Sequence, residues 1–217
     1  KYLYLRTHAN VDRIAAYKFY HPYTDPNRTQ TTWDWGIYRA TVIFNSVIDE
    51  VKNLDGENTA LGKIITAQAK AARAWSYMVG GLGYGPMYDP SKANDQRVIP
   101  YRTASSPVVA NPDLATTNEI MQYAEQDLLD ALQGAPLNVG NPVRANLTAV
   151  EALLAQLYMY KRDWQKMSQY AEAAWKNALS TKGSVDNLIY DYNAFSYRPD
   201  PNASPSPGTD VEVSLQL

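Results

Sequence analysis

The sequence has no cysteine, only two histidines and only three phenylalanines. Without cysteine there is no disulfide scaffold, no Cys-ligated zinc and no thiol nucleophile. His8 and His21 form no His-x-x-x-His or Asp/Glu/His spacing, so neither a protein-built metal site nor a cofactor is expected. No run of 18 apolar residues occurs, and nothing in the sequence reads as a membrane-spanning helix. The opening Lys1-Tyr2-Leu3-Tyr4-Leu5-Arg6 is not a charged-then-apolar leader. The last residues, Val211 to Leu217, alternate like a lone strand that could not satisfy its own backbone, so both ends read as cut from something longer. Charge of one sign is also missing: 20 Lys and Arg stand against 22 Asp and Glu, which removes the electrostatic case for nucleic-acid or membrane-surface binding. There is no Gly-x-Ser-x-Gly elbow and no Ser-x-x-Lys. None of the 22 carboxylates sits in a distinctive acid-base motif. Asp127 and Asp130 read as a solvated helix face or capping partners. No enzyme is expected.

What is present is a core-forming, helix-patterned chain of 217 residues, 45% of them hydrophobic. Ile37, Thr41, Phe44, Ile48 and Val51 recur at helical steps over about 34–54, and Asp55-Gly56 supplies a turn. A second helix is expected over about 57–82, with Leu61, Ile64, Ile65, Gln68, Ala72, Trp75 and Val79 on one side. Gly81-Leu82-Gly83-Tyr84-Gly85 ends it; following a helix rather than a strand, this run is a terminator and not a phosphate loop. Residues 86–112 show no period and read as a long loop, a feature that usually has a function. Thr116 with Glu119 forms a capping box for a helix over 116–133, with Ile120, Tyr123, Ala124, Asp127, Leu128, Ala131 and Leu132 as its stripe. Thr148 with Glu151 reads as a second box, opening a helix with Val150, Leu153, Leu154, Leu157 and Tyr158 inward. Asp163 caps the next helix, whose expected apolar face is Trp164, Met167, Tyr170, Ala171, Ala174 and Trp175. A Pro/Ser/Asn linker covers 199–208. The expected fold is all-α, a tetratricopeptide-like bundle of helix pairs with long irregular loops. Residues 148–180 form a unit close to that repeat, and 57–82 with 116–133 a degenerate second copy.

Tyrosine is the compositional excess, at 17 residues. Tyr38, Tyr77, Tyr123, Tyr158 and Tyr170 fall at helical positions and read as packing residues with their hydroxyls at the core edge. Tyr2, Tyr4, Tyr17, Tyr20 and Tyr23 have no such period, and the Pro-broken segment Tyr20-His21-Pro22-Tyr23 presents rings on irregular backbone. Two readings stand. Flat rings flanked by Asn, Asp and His suit a sugar, whose C–H face stacks and whose hydroxyls hydrogen-bond. Alternatively the rings are packing anchors at a domain edge, and Trp33 and Trp35, at a helix start, lean that way.

Arg73-Ala74-Trp75-Ser76-Tyr77 leading to Tyr84-Gly85-Pro86-Met87 resembles the "Arg-Ala-aromatic-x-Tyr … Tyr-Gly-x-Val-Pro" signature of SusD/RagB proteins, with Tyr88 where that family usually has proline. Trp33, Tyr38 and Asn45 are similar to the family's preceding helix, and Ile120 to Ala131, with Asp127-Leu128, to its "Ile…Asp-Leu…Ala" helix. The stretch from Val143-Arg144-Ala145-Asn146 to Trp164 and the terminal Val211-Glu212-Val213 also resemble family blocks, so the likeness covers about 30–215. The resemblance implies a surface glycan-binding lipoprotein of the Bacteroidota outer membrane, anchored through a lipidated cysteine that this chain lacks. It also implies a bundle of tetratricopeptide-like helix pairs and no catalysis. Oligosaccharide would be passed to a SusC-like TonB-dependent transporter, and this chain would be the family's N-terminal region. No motif carries the family's glycan contacts across. From local chemistry and approximate position, Tyr4, His8, Asn10, Tyr20 and Tyr23 are the candidate glycan contacts. A helix-pair protein-interaction scaffold is the alternative, and a helical glycoside-processing enzyme a third reading that lacks a carboxylate pair.

Overall fold

A computed structural model describes residues 32–106, 108–110, 112–141 and 143–188. The candidate contacts Tyr4, His8, Asn10, Tyr20 and Tyr23, the linker 199–208 and the terminal strand-like run lie outside the described residues. A π-helical segment, Thr32–Arg39, continues into α1, Ala40–Asn53. Arg39, already helical, makes no side-chain cap for α1 because the chain enters α1 without a break. The stripe expected here holds: Ile37, Thr41, Ile48 and Val51 are buried together with Asn45, while Phe44 is half-buried. Asp55 takes a left-handed backbone conformation and Gly56 bonds back to the Val51 carbonyl, so the expected turn forms.

Helix α2, Ala60–Tyr84, is capped by the Thr59 hydroxyl and runs two residues beyond its expected end, to Tyr84, with the Gly85 amide bonding to Gly81. Its inward face is not the expected one. Leu61 is 66% and Trp75 49% exposed, Val79 is exposed, and Ile64, Ile65, Gln68 and Ala72 are half-buried. The buried residues are instead Gly62, Ala67, Ala69, Ala71, Arg73, Ala74, Ser76, Tyr77, Met78, Gly80 and Gly81. The reason is position. α2 is the central helix, packing on the π-helical segment, α1 and three later elements. Small side chains let those neighbours close in, and the bulky stripe is left facing out.

The expected loop 86–112 contains one short strand, β1 (Arg97–Pro100), and a second, β2 (Leu114–Thr116), follows just past its end. They pair antiparallel, with Ile99 opposite Ala115 and an irregularity between Arg97 and Ile99. Thr116 ends β2 and caps α3, Thr117–Leu132, in the complete reciprocal box expected with Glu119. Ala124, Leu128 and Ala131 of α3 meet Ala67, Ala71, Ala74 and Met78 of α2 in the main core. α4, Leu147–Lys161, is not opened by Thr148 and Glu151. Asn146 caps it, its side chain accepting from the Ala149 amide at 2.8 Å. Glu151 is buried and takes two hydrogen bonds from Asn177. Arg162 adopts a left-handed conformation where the chain breaks, and Asp163 caps α5, Trp164–Lys182, as expected.

The face of α5 differs from expectation. Only Ala174 is fully buried, Met167 and Tyr170 are half-buried, and Trp164, Ala171 and Trp175 are exposed. Among the described residues α5 packs chiefly on α4, so one narrow stripe is covered and its two tryptophans are exposed. The pairs are therefore α2 with α3 and α4 with α5, with α1 laid on α2. Among the described residues the regular structure is helical apart from one two-stranded ribbon.

Candidate functional site: a tyrosine stack opening into a polar cleft

The site begins from a buried charge. Arg73 lies mid-α2 among the alanines, and Asp127 lies on the facing side of α3. The Arg73 guanidinium donates from Nε and Nη2 to the two Asp127 oxygens, at 2.8 and 2.7 Å, and from Nη1 to the Asn45 oxygen at 2.8 Å. Burial works to lower the Arg73 pKa, but the paired carboxylate outweighs it and the net shift is upward, so the cation is secure. Asp127 is thus no solvated helix-face residue, as its spacing suggested; it is the buried anion that answers Arg73. Asp130, one turn on, is the more exposed acid and pairs with Lys70 at 2.6 Å.

This cluster fastens an irregular strap. The Asn45 amide nitrogen donates to the Arg102 carbonyl at 3.0 Å, and Asp49, one turn later on α1, accepts from the amide and hydroxyl of Ser105. The Tyr77 hydroxyl donates to the Arg102 carbonyl and accepts from its amide, at 3.0 and 2.8 Å. The aperiodic chain around 101–105 is therefore held by side chains from α1 and α2 rather than by a ladder. Alternation along β1 turns Ile99 and Tyr101 inward together. Tyr101 stacks on Tyr77 with ring centres 4.0 Å apart, and its hydroxyl donates to Asp127 at 2.9 Å. Burial, then the neighbouring Asp127 charge, pushes the Tyr101 pKa well up, so the phenol stays a donor.

A third ring, tilted 56° to Tyr101, adjoins the stacked pair. Tyr123 of α3 lies 5.1 Å from Tyr101 and is 46% exposed. Beside it a cleft of about 610 Å³ opens, bordered by Arg97, Asp113, Glu119 and Gln126, with Tyr101 and Asp127 at its floor. Arg97 reaches across the strand pair to the Leu114 carbonyl at 2.8 Å. Hydrogen bonds from the Thr116 amide and hydroxyl hold the Glu119 carboxyl below its ordinary value. The cleft thus has one exposed ring, seated on a rigid buried stack, and a rim of donors and acceptors of both signs. That combination suits a polyhydroxyl ligand: a ring face for C–H groups and a mixed polar edge for hydroxyls. Its size lies in the range of small-molecule sites.

Sequence reasoning did not find this cleft. Tyr123 was expected to pack, and Tyr101 lay in an aperiodic stretch. Tyr38, also expected to pack, is exposed, whereas Tyr77 and Tyr158 are buried as expected. A usable signal was present on α3, where Glu119, Tyr123 and Gln126 recur at steps of four and three on a helix that buries the alternate face. Among the described residues no group of His, Asp and Glu is placed to hold a metal ion.

No family model matches the sequence, and no curated protein matches it. Solved structures do match its fold. A SusD superfamily protein from Bacteroides thetaiotaomicron superposes with a TM-score of 0.58 at 22% identity, covering 64% of this chain and 30% of that one. A SusD-like carbohydrate-binding protein from Bacteroides vulgatus gives 0.54 at 21% identity, over 67% and 31% of the two chains. A laminarin-binding SusD-like protein gives 0.53 at 20% identity, over 72% and 31%. The chain therefore has the SusD-like helical fold, and it spans about 30% of the length of these solved proteins.

Proposed function

We propose that the protein is a non-catalytic glycan-binding protein. The observation that carries this reading is the Tyr123 ring, half exposed above the Tyr101–Tyr77 stack and bordered by Arg97, Asp113, Glu119 and Gln126. Stacked rings arrive pre-positioned, so binding a sugar face costs little ordering entropy. The carbohydrate-binding and laminarin-binding proteins that share the fold support the ligand class. A glycosidase needs an acid with a raised pKa, whereas Glu119 is held down by its cap and Asp127 spends both oxygens on Arg73 and Tyr101. In its longer parent, the protein would sit at the outer-membrane surface on a lipid anchor and hand oligosaccharide to a SusC-like TonB-dependent transporter. Tyr4, His8, Asn10, Tyr20 and Tyr23 are proposed as a second set of glycan contacts, from their ring and amide chemistry alone.

The test is glycan retention by affinity electrophoresis across starch-, laminarin- and xyloglucan-type polymers. Tyr123→Ala should weaken retention on the cognate glycan by roughly tenfold or more, about 1.4 kcal/mol, with unchanged far-UV circular dichroism. Tyr23→Ala is expected to do the same. Wild-type retention by Tyr123→Ala on every glycan the parent binds would remove the cleft from the reading. A second reading, a scaffold for protein partners, is favoured by the outward stripe of Leu61, Trp75 and Val79. It expects no glycan retention at all.

A further inference from the structure

The cleft beside Tyr123 has a neighbour. A second cleft of about 590 Å³ is lined by Asp49 and Lys52 of α1, Glu57, Lys63 of α2, Asp130 of α3 and Gln133 just past its end. Thr103 of the strap belongs to both linings, and beneath it the Arg73–Asp127 pair gives Asp127 to the first cleft and Arg73 to the second. Along α3 the linings succeed one another: Glu119, Tyr123 and Gln126 border the first, then Asp130 and Gln133 the second. At the helical rise that run spans about 21 Å, several times the width of one sugar ring.

We infer that the two clefts are one groove that binds a linear, neutral oligosaccharide lengthwise along α3. The inference rests on the glycan reading above and extends it to the length and charge of the ligand. Tyr123 stacks one sugar, and the groups of the second cleft bond the hydroxyls of sugars further along. Neutrality follows from the charges. In the second cleft Lys70 is paired with Asp130 and Arg73 with Asp127, and Lys52 and Lys63 are matched in number by Asp49 and Glu57. In the first, Arg97 stands with Asp113 and Glu119. Neither cleft offers a surplus of positive charge to select a carboxylate or sulfate. Each offers donors and acceptors side by side, which a hydroxyl uses in both roles. The walls are firm: Asn45 and Asp49 hold the strap, and Gly134 at the end of α3 packs directly on the Lys63 backbone.

Titration calorimetry with starch-, laminarin- and xyloglucan-type oligosaccharides, graded from disaccharide to hexasaccharide, tests this on the intact chain. Oligogalacturonides of matched length serve as the acidic comparison. In any series that binds, affinity should rise about tenfold or more with length. Lys52 and Lys63 are exposed and outside the core, so Lys52→Ala/Lys63→Ala should keep the fold. That double variant should flatten the rise while leaving disaccharide affinity as in the wild type. Tyr123→Ala should weaken every member. Length-independent affinity, a wild-type rise in the double variant, or preference for the acidic series would each overturn the groove while leaving Tyr123-dependent glycan binding intact. Absence of binding in every series would remove the glycan reading, and the groove with it.

Discussion

Arg73 ties several parts of the structure together, because its donors reach α1, α3 and, through Asn45, the strap at 102–104. Removing one member of a buried ion pair leaves the other charge without compensation, at a cost of about 3–5 kcal/mol. Arg73→Ala should lower the unfolding free energy by that much in chemical denaturation. Arg73→Lys should recover little, since an ammonium cannot make the two-pronged contact. Asn45, Arg73, Tyr77 and Asp127 all belong to the sequence blocks that resemble SusD/RagB proteins. Their chemistry was visible in the sequence but their purpose was not, because a pairing across 54 residues leaves no trace in local spacing. A second charge cluster sets an acid limit. Burial alone would raise the Glu125 pKa, yet hydrogen bonds from Lys161 and Tyr158 outweigh it and hold the carboxyl below its ordinary 4.5. A depressed folded pKa stabilises above the unfolded value and is lost as pH falls through the folded one. The stability gap between wild type and Glu125→Gln should therefore be full at pH 7 and shrink below about pH 4.5, as read by urea melts across that range.

At the scale of elements, caps and breaks were the most legible features, because their signals are local. The Thr116–Glu119 box, the Asp163 cap and the turn at Asp55-Gly56 all form where the residues suggested. Faces were less legible. Hydrophobic periodicity assumes that a helix has one covered side, and α2 is covered on most of its circumference. The stripe of Leu61, Trp75 and Val79, which periodicity alone turns inward, therefore lies on the exposed side. The inner face of α2 is mostly small: eight of its eleven buried residues are Gly, Ala or Ser. Gly134 shows the same rule at the end of α3, where an added Cβ would stand 2.5 Å from the Lys63 carbonyl oxygen. Backbone cannot swing aside as a side-chain tip can, so Gly134→Ala should cost about 1–3 kcal/mol and lower the thermal midpoint. At Gly140, where nothing lies within 4 Å, the same substitution should leave the midpoint within experimental error.

Across the whole molecule, the helix-pair architecture could be read from periodicity and punctuation, while the cleft could not. Its floor is Tyr101, which reaches α2 and α3 only because β1 pairs with β2 and turns the ring inward. Four residues of strand inside a long aperiodic stretch are too weak a pattern to read in advance. The strap that follows β1 carries a consequence of its own in the slow exchange of protons with solvent. The Arg102 amide lies in no helix or ladder, where exchange is ordinarily fast. Yet its hydrogen is donated to the phenol oxygen of Tyr77, a residue fixed in the central helix. In deuterium that amide should label as slowly as the middle of α2, and Tyr77→Phe, which keeps the ring but deletes the acceptor, should make it label like an open loop. The isotope clock of one backbone proton would then report whether a segment with no regular structure shares the lifetime of the core.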